Sequence, residues 1–156
     1  MLAGLSAVEV EATAHDCLQA HATGQGGLLA LGLANSETGV LSDMPQRAGV
    51  LLDVVQAVGR VPFAFGWSGA DFAILSAHKL GGPKGVGALI VRDGVEIAGL
   101  RKGGGQEKGR RSGTENVMGI AGFGAAISAA LHDLDAGVWD RVRDLRDRFE
   151  ARIADG

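Results

Sequence analysis

The chain has 156 residues, enough for one domain with its own core, and is 46% hydrophobic with 26 glycines, 4% aromatic residues and no tyrosine. A formal net charge of -3 offers nothing specific to nucleic acid or an anionic membrane, and no run reaches the roughly 18 apolar residues of a membrane span. Residues 1–4 lack the basic start of a secretory signal, and the single Cys17 excludes an internal disulfide framework, so the expected setting is a reducing cytoplasm.

In chain order, Ser6-Ala7-Val8-Glu9 forms a capping box with Leu5 and Val10 as its hydrophobic staple, which predicts a helix over residues 7–22. Glycines at 24, 26 and 27 break that helix. Apolar runs follow at 28–34, 50–55, 72–75 and 86–91. Runs without alternation read as strands covered on both faces, so the predicted fold class is α/β, a mostly parallel sheet with flanking helices. The period then becomes helical. Ser112-Gly113-Thr114-Glu115 is a second capping box, opening a helix to about residue 131 through Val117, Ile120, Ala121, Phe123 and Ile127. A last helix over 138–154 carries a stripe of Val138, Val142, Leu145, Phe149 and Ile153, with Asp144 and Arg148 ordered for an i,i+4 pair on its charged face. Such a stripe needs a partner surface.

Residues able to do chemistry gather around Lys79. It follows the apolar run 72–75 directly, between Ser76, His78 and the bend from Gly81 to Gly87. Partial desolvation at a strand end would disfavour its ammonium form and leave a nucleophilic amine suited to a Schiff base, whereas an ordinary turn lysine would stay solvated. Asp53 interrupts the run 50–55. A carboxylate there either faces a cation or strong donor, or caps a short helix after the strand. The segment from Gly103 to Thr114 brings glycines, Arg110, Arg111 and Ser112 to a helix start, where an anion and ordinary capping are both served. Asn35-Ser36-Glu37-Thr38-Gly39 follows the first strong strand, at a carboxyl end where open α/β sheets place ligands. A strand-borne aspartate, an imine-forming lysine and a phosphate cup describe a pyridoxal 5'-phosphate site.

Five motifs then occur in order: Asn35-x-Glu37-x-Gly39; Asp53-x-x-Gln56-x-x-Gly59; Ser76-x-His78-Lys79; Gly82-Pro83-Lys84-Gly85-x-Gly87-Ala88-Leu89; and Gly103-Gly104-Gly105-Gln106-Glu107-x-Gly109-x-Arg111-Ser112-Gly113-Thr114-x-Asn116. Together they resemble the cysteine desulfurases, in the class V aminotransferase family of fold-type I pyridoxal phosphate enzymes. The resemblance implies that Lys79 is the lysine joined to the cofactor aldehyde, that Asp53 pairs with the pyridine nitrogen, and that Gln56 bonds the phenolic oxygen. It implies phosphate contacts from Ser76 and His78. Thr114 would reach the phosphate of the other subunit's cofactor, so the expected assembly is a homodimer. In the family an asparagine commonly precedes the first motif's glutamate and touches the cofactor; here Ser36 holds that position and Asn35 lies one step earlier. The histidine that often lies two residues before the aspartate is replaced by Leu51, and only residues 38–52 remain for the crossover, which allows a helix of a turn or two.

The resemblance covers the middle of the family's chain. It implies that residues 1–134 are part of the cofactor-binding large domain and that 135–156 lead toward a small domain. The expected activity of the complete form is removal of sulfur from cysteine, giving alanine and an enzyme persulfide for iron–sulfur cluster assembly, with a sulfur acceptor or scaffold protein as partner. The isolated chain, without the sulfur-accepting cysteine and substrate arginine, is expected to be inactive. The alternatives are a cofactor-domain fragment that dimerises or binds a partner without turnover, and another class V member such as a selenocysteine lyase. A nucleotide binder is disfavoured, because the glycines after Lys79 join strand to strand and do not open a helix. Cys17 reads as a small buried hydrophobe. The six-residue separation of His15 and His21 fits one helix face poorly, so no metal site is expected.

Overall fold

The computed structural model describes residues 10–11, 19–20, 27–44, 48–99 and 103–154. Two short strands, β1 (Val10–Glu11) and β2 (Gln19–Ala20), pair antiparallel with Val10 opposite Ala20. The helix predicted over residues 7–22 therefore does not run through these points. A capping box contributes only about 1 kcal/mol, which ladder pairing can override. The remainder of that stretch, including His15, Cys17 and His21, lies outside the described residues.

The four apolar runs form one sheet of β3 (Leu29–Gly32), β4 (Val50–Asp53), β5 (Phe72–Ser76) and β6 (Gly87–Val91), in that spatial order. The first three strands are parallel and β6 is antiparallel to β5, so the sheet is mostly parallel as expected. Register puts Leu29 beside Val50 and Leu31 beside Leu52, with Leu52 beside Ala73. These side chains face one way and are buried. The polypeptide between β4 and β5 covers them with Val54, Ala57, Val58, Val61, Phe63, Phe65 and Ala70. The opposite face carries Ala30, Leu51, Asp53, Ile74 and Leu89, and Leu89 is 49% exposed. Burial thus follows one face, although the runs predicted both. Apolar composition fits a face for burial but does not supply what covers it.

The expected crossover helices are also reduced to turns. Between β3 and β4 the described residues form a tight loop, closed by a bridge between Ala34 and Leu41 and by a bond from the Ser42 hydroxyl to the Gly32 carbonyl at 2.7 Å. After β4, bonds from the Val58 and Val61 amides to the Val54 and Ala57 carbonyls, both at 3.0 Å, wind less than two helical turns. At the opposite edge Asp71 fixes the start of β4, its Oδ2 accepting from the amides of Gly49 at 2.6 Å and Val50 at 3.0 Å.

Three helical segments follow the sheet. The four-residue α1 (Gln106–Gly109) contains two left-handed residues, Glu107 and Lys108, with φ of 49° and 60°. Helix α2 spans Val117–Asp135 and α3 spans Val138–Ala154. The predicted cap of α2 is displaced from Ser112 to Asn116, whose side-chain oxygen accepts from the Gly119 amide at 3.0 Å. A Ser-x-x-Glu pattern cannot distinguish two cap-competent residues four positions apart. By length and composition α2 could cross a membrane. Its Gly119, Phe123 and Ala126 are nevertheless buried, and it packs on the turn after β5. The stripe of α3 stands where expected. Val142, Leu145, Phe149 and Ile153 are exposed, and among the described residues its ion pairs join Arg143 to Asp140 and Arg146 to Asp147 and Glu150, in place of Asp144 to Arg148.

Candidate active site

Parallel pairing brings the chemistry-bearing residues to one edge of the sheet. Asp53 closes β4 and is registered with Ile74, so Asp53 and Ser76, two residues beyond Ile74 on β5, project from the same face. Both stand at carboxyl ends of adjacent parallel strands. Asp53 is exposed, and its Oδ1 accepts from the Val55 amide at 3.0 Å. One oxygen therefore starts the turn that follows the strand, which is the capping alternative, and the other has no hydrogen-bond partner among the described residues. Gln56, half-buried, lies three residues further along this turn.

At the end of β5 the chain enters a 3-10 turn over Ala77–Leu80. Gly81 ends it with φ of 82°, a conformation that disfavours any Cβ, and the Gly81 amide returns to the Ala77 carbonyl. The turn carries His78 and Lys79 outward while Ala77 is buried beneath them. Ser76 Oγ and His78 Nδ1 are 2.8 Å apart, a paired hydroxyl and imidazole on the strand end. Lys79 is exposed, so the partial desolvation expected of its amine is not present; the turn that ends the strand lifts it off the sheet instead.

Asn35 and Ser36 follow β3, at the same edge. The Asn35 side-chain oxygen accepts from the amides of Glu37 at 2.9 Å and Thr38 at 3.0 Å, so it shapes its own loop. Ser36 is exposed and donates to Glu37 Oε1 at 3.2 Å. Thr114 is exposed on the loop before α2 and makes no hydrogen bond to the Asp53–Lys79 group among the described residues. In the same loop Arg111 is already committed. Its Nε lies 2.6 Å from Glu107 Oε1, and its terminal nitrogen donates to the Gly113 carbonyl at 2.7 Å. The expected meeting of both arginines with Ser112 at a helix start therefore gives way to a locally neutralised arginine, with the helix beginning at Val117.

Two residues outside the motifs enter this edge. Arg60 donates to the Lys79 carbonyl at 2.7 Å and lies under the ring of Trp139, 5.6 Å from its centroid. Arg60 follows the Asp53-x-x-Gln56-x-x-Gly59 motif, where a cation meets the open carbonyls of a helical turn, so a signal for it existed. For Trp139 there was none.

Comparison with known proteins agrees with this fold. The model of the aminotransferase class-V family matches residues 7–155, and the chain belongs to that family. It is 50% identical over 125 residues to a cysteine desulfurase of Gluconacetobacter diazotrophicus, covering 75% of this chain and 31% of that one. It is 47% identical over 134 residues to a cysteine desulfurase of Cereibacter sphaeroides, covering 81% and 34%. A NifS-like protein from Rickettsia africae superimposes with a TM-score of 0.77 at 35% identity, over 85% of this chain and 40% of that one. The chain thus spans about a third of the length of these curated relatives.

Proposed function

We propose that this chain is the cofactor-holding part of a cysteine desulfurase that uses pyridoxal 5'-phosphate. The observation that carries the reading is the convergence of Asp53, the Ser76–His78 pair and Lys79 on the carboxyl ends of β4 and β5. This donor set fits the cofactor: a carboxylate with one uncommitted oxygen for a pyridinium, an amide beside it, a hydroxyl and imidazole for a phosphate, and a primary amine for an aldehyde. When bound, pyridoxal 5'-phosphate supplies an electron sink for the charge that develops next to the substrate α-carbon. Asp53 would hold the ring-nitrogen proton, and Gln56 would orient the ring through its phenolic oxygen. Ser76 and His78 would anchor the phosphate, and Lys79 Nζ would hold the cofactor and then move a proton to or from substrate. Asn35 and Ser36 would border the ring from the β3 side.

In the complete protein the net reaction transfers the sulfur of cysteine to an enzyme thiol, leaving alanine and a persulfide, which balances without an external oxidant. The persulfide would serve iron–sulfur cluster assembly through an acceptor or scaffold protein. The reading includes a cytoplasmic homodimer in which Thr114 completes the partner's phosphate site. Residues 1–134 form part of the large domain, and 135–156 lead toward a small one. The likeness to two cysteine desulfurases, at 50% and 47% identity, supports it.

The test adds pyridoxal 5'-phosphate to the purified chain and records its absorption. A near-visible band that Lys79→Ala removes is the expected outcome, with no sulfide released from cysteine by the 156-residue chain alone. A band of equal size in the variant would mean indiscriminate lysine labelling and would refute the assignment.

A further inference from the structure

We infer that Arg60 is a positioning residue for Lys79, a strut that fixes the lysine's turn to the aspartate's turn. This deepens the proposed cofactor site and rests on that reading. Arg60 is half-buried and reaches both segments that carry the site. One terminal nitrogen donates to the carbonyl of Lys79 at 2.7 Å. The other lies 3.4 Å from the Gln56 carbonyl and 3.5 Å from that of Val55, at the end of the turn that Asp53 begins. A planar guanidinium can span two such points at once, which a single ammonium cannot. Trp139, from the start of α3, covers the guanidinium with its ring.

The neighbourhood explains why the strut is needed. Asp53 is held in the ladder opposite Ile74, but Lys79 lies three residues beyond Ser76, the last paired residue of β5, where the sheet no longer sets its position. The 3-10 turn packs inward through Ala77 and against α2, but His78 and Lys79 are exposed, so those two residues have no packing on the solvent side. Beside it a cavity of about 140 Å³ is lined by Gly59, Arg60, Lys79, Ala130, Asp133 and Trp139, leaving room for the turn to shift. Arg60 bridges this gap, and α3 enters the site through Trp139 without contributing a reacting group.

The experiment uses the 156-residue chain and its Arg60→Ala, Arg60→Lys and Trp139→Phe variants. Each is incubated with pyridoxal 5'-phosphate across a range of pH and trapped with borohydride. Adducts at Lys79, Lys84 and Lys108 are then quantified by peptide mass spectrometry. Amide exchange at Gly81 and Gly82, whose N–H groups close the turn on Ala77, is measured without cofactor. Arg60→Ala should lower the preference for Lys79 over Lys84 by about tenfold, the scale of one charge-assisted hydrogen bond. It should also speed exchange at both glycines and move the pH profile of Lys79 labelling while leaving that of Lys84 in place. Arg60→Lys, which keeps a donor for the Lys79 carbonyl, should restore part of the preference, and Trp139→Phe most of it. Unchanged exchange and unchanged preference in Arg60→Ala would overturn the strut. Should Arg60→Ala fail to fold, full preference in Arg60→Lys would overturn the need for a two-point bridge, and a partial loss would support it. Unchanged exchange at Gly81 and Gly82 in Arg60→Ala would overturn the strut, and a parent chain with no preference for Lys79 would overturn the cofactor reading. Faster exchange in Arg60→Ala would then still separate the two failures.

Discussion

Gly59 holds α2 against the lysine's turn, and adding one methyl group there tests the packing that positions the site. Its φ is 76°, and a Cβ built on it would lie 2.7 Å from Ala130 Cβ, 3.1 Å from Leu80 Cδ2 and 3.7 Å from Ala130 Cα. Two costs follow from Gly59→Ala. A non-glycine residue in the left-handed region costs about 1–2 kcal/mol. Forcing a methyl into a filled contact adds about 1–3 kcal/mol, because Ala130 is a backbone-borne stub that cannot rotate away. The sum, about 2–5 kcal/mol, is a large share of a domain stability of roughly 5–15 kcal/mol. Urea unfolding followed by far-ultraviolet circular dichroism reads it as a lowered midpoint at constant slope. Adding Ala130→Gly to Gly59→Ala separates the terms. It relieves the clash but leaves the φ strain, and it brings its own helix cost of about 1 kcal/mol. The coupling between the two changes should therefore be favourable by about 1–3 kcal/mol. A Gly59→Ala chain within about 0.5 kcal/mol of the parent would refute the close approach, since that is the usual range for a surface site. Zero coupling with Ala130→Gly would leave φ strain as the only cause.

Two further substitutions probe the frame. Asn116→Ala should cost about 1 kcal/mol in urea unfolding while Ser112→Ala costs less than half of that, because the cap of α2 is Asn116; the reverse order would return the cap to the Ser112 box. Asp71→Ala should cost about 1–3 kcal/mol by leaving the Gly49 and Val50 amides without their acceptor, and hydrogen exchange at those two amides should rise selectively. Protection unchanged at both would show that the strand start is held by other contacts.

The four strands were legible because each is an apolar run bounded by glycine or polar residues, and strand identity depends on that local pattern. The antiparallel setting of β6 was not, since direction in a sheet is decided by connection length and by what lies on each side. The same limit explains the cap of α2 and the helix expected at the start of the chain. Each rested on a signal worth about 1 kcal/mol that competing contacts can outweigh. The chemical residues Asp53, Gln56, Ser76, His78 and Lys79 were legible as types at strand ends, where open parallel sheets bind ligands. Their environment was not: Lys79 is exposed, Arg111 is neutralised by Glu107, and Asn35 spends its side-chain oxygen on its own loop.

By itself the sequence determined the α/β class, the four strands of the main sheet, the two long helices and the order of five motifs, because hydrophobic period and residue chemistry are written locally. Only the tertiary structure decided which face of the sheet is buried and which carbonyls Arg60 joins. It also brought Trp139, 60 residues beyond Lys79 in the numbering, to cover that arginine. Contacts between distant segments depend on how turns aim the strands and how α2 fits over Gly59. No local pattern encodes that geometry.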